Sequence, residues 1–259
     1  MGSDGVTVVL LHGFTGSALT MSGLAEALAA SRRVLAIDLV GHGRSDSPSS
    51  IDAYGMNACV AQVRSVIDEL VAGPADLVGY SMGGRVALSL AATAPQTIRA
   101  LILVGASAGL ADPDEGDARR AADERLAASI ETDGLPAFVD RWTALPMWAS
   151  LEIALGPDGW SASRRQRLDN DPVGLALSLR GMGTGVQPPV HGRLATLDRP
   201  TLLMAGGLDG KFTAVAHELA AALPRARLEI IAGAGHAAHA EKQAEVSGVI
   251  ANFLETVDG

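Results

Sequence analysis

An α/β fold, with a mostly parallel, doubly wound sheet and an inserted helical cap, is predicted by three observations. Short apolar runs rich in Val, Ile and Leu recur along the chain, amphipathic stretches of helical length separate them, and one long central segment breaks the alternation. Apolar runs without polar alternation suit strands buried on both faces, and the helical stretches between them are the crossovers that parallel strands need. Those crossovers are expected to be right-handed.

Taken in order, "VTVVLLHG" predicts the first strand and "MSGLAEALAAS" its helix. "RRVLAIDLVGHG" is followed by "MNACVAQVRSVIDELV", and "ADLVGYS" by "MGGRVALSLAATAP"; "IRALILVGAS" ends this run. The pattern resumes with "PTLLMAGGLD" and "FTAVAHELAAAL", then "RLEIIAGAGH" and "AEVSGVIANFLETV". In between stand "DEGDARRAADERLAASIE", "LPAFVDRWTALPMW", "SASRRQRLDNDP" and the Gly-rich "LRGMGTGVQPP", with no strand–helix unit among them. The expected organisation is a core of residues 1–106 and 191–259 with a helical cap of residues 107–190, and "ADPDEGD" as the loop leading into the cap. Only about ten residues precede the first His-Gly strand, so six or seven strands are expected.

With 259 residues, 48% of them apolar, the chain can bury a large core, which excludes a disordered protein. Its longest apolar runs are too short to cross a bilayer, and "MGSDG" has neither the basic region nor the hydrophobic stretch of a signal peptide. Cys59 is the only cysteine, so no internal disulfide forms, and its helical setting predicts a buried, inert thiol. A soluble cytoplasmic protein is the expectation. The formal net charge of −9 argues against nucleic acid as a partner. A small anionic ligand stays open, because it responds to local charge in a cleft. Lys211 and Lys242 are the only lysines, so arginine carries nearly all the positive charge. The scattered histidines suggest no metal site, and no phosphate-cradling loop with a lysine occurs, so no cofactor is expected.

Ligands of an open parallel sheet meet the carboxyl ends of its strands. The polar groups there are His12-Gly13-Phe14, Asp38, Ser81, Asp209 and His236. Gly79-Tyr80-Ser81-Met82-Gly83 fits the G-x-S-x-G elbow, a sharp strand-to-helix turn that exposes a serine hydroxyl. A serine becomes reactive when an imidazole takes its proton, and a carboxylate holds that imidazole in the right tautomer. Ser81, His236 and Asp209 are assigned these roles, with the backbone N–H groups of Met82 and Phe14 as the oxyanion hole. His239 competes with His236, which directly follows "GAG" at a strand exit; Asp38 competes with Asp209 but better suits bracing its own loop. His42 and His217 read as loop and helix-surface residues.

The segments "LLHGFTGS", "DLVGHGRSD" and "GYSMGGRVAL" resemble the α/β-hydrolase superfamily over the whole chain. More narrowly, "RQRLDNDPVGLALSLRGMGTGVQPP", "GGLDGKF" and "GAGHAAH" resemble the 2-succinyl-6-hydroxy-2,4-cyclohexadiene-1-carboxylate (SHCHC) synthase family of menaquinone biosynthesis. This resemblance implies a lyase that removes a proton beside a succinyl carbonyl and expels pyruvate, with the serine as base. It also implies substrate contacts from Tyr80, Arg85, Arg119, Trp142 and Arg167. Arginine suits a polycarboxylate because its planar fork binds a carboxylate bidentately. Arg85, four residues beyond Ser81, is placed near the serine by helical spacing as well. Arg120 and Arg165 stand as alternatives to their neighbours, and Lys211 as either a cleft or a loop charge. Pro189 and His191 depart from the family pattern at the cap exit. The rival functions are a carboxylic-ester hydrolase with the same triad and a small-molecule binding protein.

Overall fold

The computed structural model describes residues 6–259; the "MGSDG" stretch read for a signal peptide lies outside the described residues. Six parallel strands form one sheet in the order β2-β1-β3-β4-β5-β6. They are β1 (Thr7–Leu11), β2 (Arg33–Ile37), β3 (Ala75–Tyr80), β4 (Ile98–Val104), β5 (Thr201–Gly206) and β6 (Ala226–Ile231). The order reverses beside β1, which is where a crevice opens at the carboxyl ends. β1, β3 and β5 are buried along their whole length, as their unbroken apolar runs require.

Strand residues alternate between two helical layers. Val9, Leu11 and Leu77 face α2 (Met56–Leu70) and α3 (Met82–Thr93), while Val8, Leu10 and Val78 face α1 (Ser22–Ala29) and the C-terminal helix 243–258. Cys59 of α2 is fully buried, and burial pushes its thiol up to about 12, so the inert reading holds at this position. No helix among the described residues is long and apolar enough to cross a membrane.

Between β4 and β5 come α4 (Pro113–Asp133), α5 (Leu135–Thr143), α6 (Ala149–Leu168) and α7 (Pro172–Met182). They share a cluster of their own, including Ile130, Phe138, Val139, Leu175 and Leu179, against which Phe14 and Trp142 pack. The stretch "ADPDEGD", expected as a loop, is mostly helix. Asp112 caps α4 by accepting the Asp114 N–H at 2.8 Å, and Pro113 takes the first helical position, where its missing N–H costs nothing. α6 breaks at Gly156 (φ 64°), followed by Pro157. Its first half packs Leu151 into the core layer of α1, and its second half ends beside Thr15. After α8 (His191–Leu194), the chain completes the sheet with α9 (Gly210–Ala222), α10 (Ala238–Glu241) and α11 (Gln243–Asp258).

The beginning of α3 lies directly on the end of β1. A Cβ on Gly83 would collide with the Leu11 carbonyl oxygen, and one on Gly79 would stand 2.5 Å from the Gly83 carbonyl oxygen. Backbone atoms cannot move aside as a flexible side chain would. Gly83→Ala is expected to cost about 1–3 kcal/mol or more, as overpacking does. Urea unfolding of the variant beside the parent checks this, and an unchanged midpoint would count against the packing described.

Candidate active site

Ser81 joins β3 to α3 with φ 50° and ψ −110°, a conformation that side-chain-bearing residues seldom adopt. Two backbone bonds hold it there. The Ser81 N–H donates to the Val104 carbonyl (2.9 Å), and the Gly83 N–H donates to the His12 carbonyl (3.0 Å). The hydroxyl therefore stands above the sheet with no freedom in the turn beneath it.

Asp209 caps α9 and accepts the Phe212 N–H through Oδ1 at 3.1 Å. Its Oδ2 lies 2.8 Å from His236 Nδ1. A carboxylate can only accept, so Nδ1 carries the proton and Nε2 is left to accept from Ser81 Oγ, 3.0 Å away. Burial alone would raise the Asp209 carboxyl, but hydrogen bonds from His236 and the Phe212 N–H outweigh it and hold the group below the usual range. The imidazole is enclosed by Phe212 at 4.6 Å, Tyr80 at 5.4 Å and Trp148 at 6.1 Å between ring centroids. His239 is not in this relay; its ring lies tilted against Tyr80, with 4.2 Å between centroids. Asp38 braces its loop, accepting the Ala18 and Arg44 N–H groups at 2.6 and 3.0 Å.

The N–H groups of Met82 and Phe14 make no hydrogen bond among the described residues. The Phe14 loop is stiff. His12, fully buried, donates from Nδ1 to the Gly13 carbonyl (2.8 Å) and accepts the Leu39 N–H at Nε2 (3.0 Å). Thr15 has φ 62°, and its carbonyl accepts Asn170 Nδ2 at 3.0 Å.

A cavity of about 950 Å³ opens on Ser81 and is lined by Phe14, Tyr80, Arg85, Arg119, Trp142 and Lys211 among others. Arg85 is buried and donates from Nη1 to the Met182 carbonyl (2.7 Å) and to Gln187 Oε1 (2.9 Å). Both acceptors are neutral, and Arg85 has no carboxylate partner among the described residues. Burial first, and the nearby Arg119 second, bring its guanidinium down to about 10, still protonated at neutral pH. Arg119 is paired with Asp123 at 2.8 Å. The Tyr80 hydroxyl and Trp142 Nε1 are buried and make no hydrogen bond among the described residues.

Relatives narrow the chemistry this arrangement serves. A family profile for the alpha/beta hydrolase fold matches residues 6–243. The 2-succinyl-6-hydroxy-2,4-cyclohexadiene-1-carboxylate synthase of Klebsiella pneumoniae (strain 342) is 32% identical, with 95% of this chain and 93% of that protein covered. A Bacillus subtilis (strain 168) protein that carries the same name provisionally is 40% identical over 250 residues, 96% of this chain and 90% of its own length. The chain belongs to the SHCHC synthase family of α/β hydrolases. The solved structure of MenH from S. aureus superposes with a TM-score of 0.93 at 31% identity, covering 100% of this chain and 98% of that one.

Not every residue expected from the SHCHC synthase resemblance reaches the cavity. Arg167 does not line it. Its guanidinium lies 4.8 Å from the Trp148 ring centroid and donates to the Thr15 hydroxyl, so it is covered by the aromatic side chain. Arg120 pairs with Asp117 at the surface, and Arg165 is exposed, so neither replaces its neighbour. His191 and Lys211 line the cavity, whereas Pro189 does not. Three contributors escaped sequence reading: Gln187, which fixes Arg85; Asp123, which fixes Arg119; and Trp148, which screens Arg167 and touches His236. Gln187 lies in the quoted "LRGMGTGVQPP" segment, the one signal that pointed toward it.

His42, expected as a loop residue without further consequence, is buried against His12 (5.2 Å) and Phe14 (5.7 Å). Burial, then the neighbouring His12, lower it to about 3, and burial lowers His239 to about 4. In the unfolded chain both titrate near 6.5. Because the unfolded state binds more protons between these values, stability is full above about pH 6.5 and is lost as pH falls toward 4 and 3. Urea unfolding at pH 7.5, 6 and 5 is expected to give decreasing midpoints, with a shallower decrease for His42→Gln. An identical slope in the variant would remove His42 as a cause.

Proposed function

We propose that this chain is a carbon–oxygen lyase that eliminates pyruvate from 2-succinyl-5-enolpyruvyl-6-hydroxy-3-cyclohexene-1-carboxylate to form SHCHC. The observation that carries this reading is a complete Ser–His–Asp relay whose cavity wall presents Arg85, a buried cation with only neutral partners. A neutral ester gives no use for that charge; a polycarboxylate does.

In this reading His236 Nε2 takes the Ser81 proton as Ser81 Oγ removes the ring proton beside the succinyl carbonyl. The electrons move onto the carbonyl oxygen, which the Met82 and Phe14 N–H groups stabilise as an enolate. They then return through the ring. The 3,4 double bond shifts to complete the 2,4-diene, the C5–O bond breaks, and the departing enolate of pyruvate takes up a proton. Asp209 holds His236 in the accepting tautomer throughout and stabilises the imidazolium. Arg85 and Arg119 bind substrate carboxylates, and Tyr80 and Trp142 offer their free O–H and N–H to the same ligand.

The test is pyruvate release from the intermediate, made fresh by the preceding enzyme, with a lactate dehydrogenase couple. Parent protein is expected to exceed the spontaneous rate by orders of magnitude, and Ser81→Ala to return to it, since the relay acts as a unit. Release at the spontaneous rate by the parent, with ester turnover intact, would replace the lyase by a hydrolase. Arg85→Ala is expected to lower kcat/KM for pyruvate release by about 10–100-fold, the worth of a charge-assisted hydrogen bond of about 1.5–3 kcal/mol. Hydrolysis of a neutral nitrophenyl ester should change by less than about threefold. Equal losses on both substrates would make Arg85 a structural residue.

A further inference from the structure

We propose that Glu241 is the positioning residue that sets the aim of His236. The imidazole is steered from its ring side by Asp209, but the loop that carries it, between β6 and α10, needs its own anchor. Glu241 supplies one. Its Oε2 accepts the Gly235 N–H at 2.7 Å, and its Oε1 accepts the Ala237 N–H at 3.1 Å. One carboxylate thus holds the peptide plane that follows His236 and the one that precedes Gly235, so the backbone on both sides of His236 is tied to one point and the direction of its Cα–Cβ bond is restricted. The carboxylate forms no ion pair with any lysine, arginine or histidine among the described residues, so the two amides are its partners. Bonds from amides to an ionised carboxylate are stronger than neutral ones, and two of them at one residue's flanks resist rotation as well as displacement.

The loop is buried, with Ala234 and Ala237 packed into the core layer of α1, but the Gly235 and Ala237 N–H groups bond only to Glu241 among the described residues. The Ala234 carbonyl accepts the Leu208 N–H at 2.9 Å, and α10 begins only after Ala237. Gly235 lies against Ser150 of α6, where a Cβ would collide with the serine hydroxyl. Without Glu241, the Gly235 and Ala237 amides would lose their acceptor and the His236 backbone would turn more readily, while Asp209 still held Nδ1. Nε2 would then swing away from Ser81 Oγ. A displacement of about 1 Å at a reacting group costs on the order of 100-fold in rate.

This inference rests on the Ser81–His236–Asp209 relay and not on the lyase reading, so its test uses a reagent indifferent to the natural substrate. Parent, Glu241→Ala and Glu241→Gln proteins would be reacted with a fluorophosphonate, which modifies only an activated serine. The rate constant and the final number of modified sites per chain would both be recorded. Glu241→Ala is expected to react about 10–100-fold more slowly, with close to one site per chain still modified at the end. Glu241→Gln keeps one oxygen acceptor and should lose less. Where pyruvate release is measured, kcat should fall by the same factor and KM by less than about threefold, because the arginines stand apart from the clamp. An unchanged rate constant would overturn the proposal. So would a lower final site count at unchanged rate per site, since that pattern marks loss of folded protein alone. Should Glu241→Ala fail to fold, the isosteric glutamine variant decides by the same two numbers. A slowed phosphonylation in a protein that releases no pyruvate would sink the lyase and leave the clamp standing.

Discussion

The close approach of α3 to β1 is the constraint on which the site depends. The Gly83 N–H reaches the His12 carbonyl at 3.0 Å, with the Leu11 carbonyl oxygen where a Cβ would otherwise be. That contact brings the start of the serine helix and the Phe14 loop to one point above the sheet. Ser81 is held at positive φ by the same packing. Strain of this kind persists only where the surroundings over-determine it. Here two strands supply the bonds, β4 through Val104 and β1 through His12.

Electrostatics divide the molecule in a different way. A chain of net charge −9 repels anions at long range, so attraction must come from a few cations kept where screening is weak. Arg85 answers this need by being buried and bonded only to uncharged oxygens. Arg119 is partly neutralised by Asp123, and Lys211 is exposed at the rim. The three differ in burial and partner, so equal sequence charge does not imply equal strength toward a carboxylate.

Much of the fold was legible because buried parallel strands need apolar runs, as β1 and β5 have, while the edge strand β6 alternates with Arg227 and Glu229 and is partly exposed. The relay was legible because strand ends are where such sheets hold their chemistry: Ser81, Asp209 and His236 each follow a core strand. The α4 boundary was misjudged, although Asp112-Pro113 carried a cap signal, because acidic and Gly-rich composition outweighed it. The burial of Arg167 was hidden for another reason. Arg167 stands in the polar run "SRRQR", and nothing in spacing tells that one guanidinium of the run is covered by Trp148, a residue of the preceding short turn. Gln187 and Asp123 act on arginines far away in sequence or hidden among other charges, so only the folded contacts reveal them. His42 shows the same limit, since a loop residue in sequence became a core residue through His12 and Phe14.

The break in α6 at Gly156 has a consequence for how this part of the chain can vary. Both halves of the helix pack against the core layer, the first through Leu151 and the second through Trp160, and the second also reaches the Phe14 loop through Arg167. A continuous helix would couple them, because each inserted residue turns everything after it by about 100°. At Gly156 the backbone leaves the helical path, and a side chain there would meet nothing within 4 Å. Space at the joint is open, so packing constrains the chain less at this point than in the helix on either side of it.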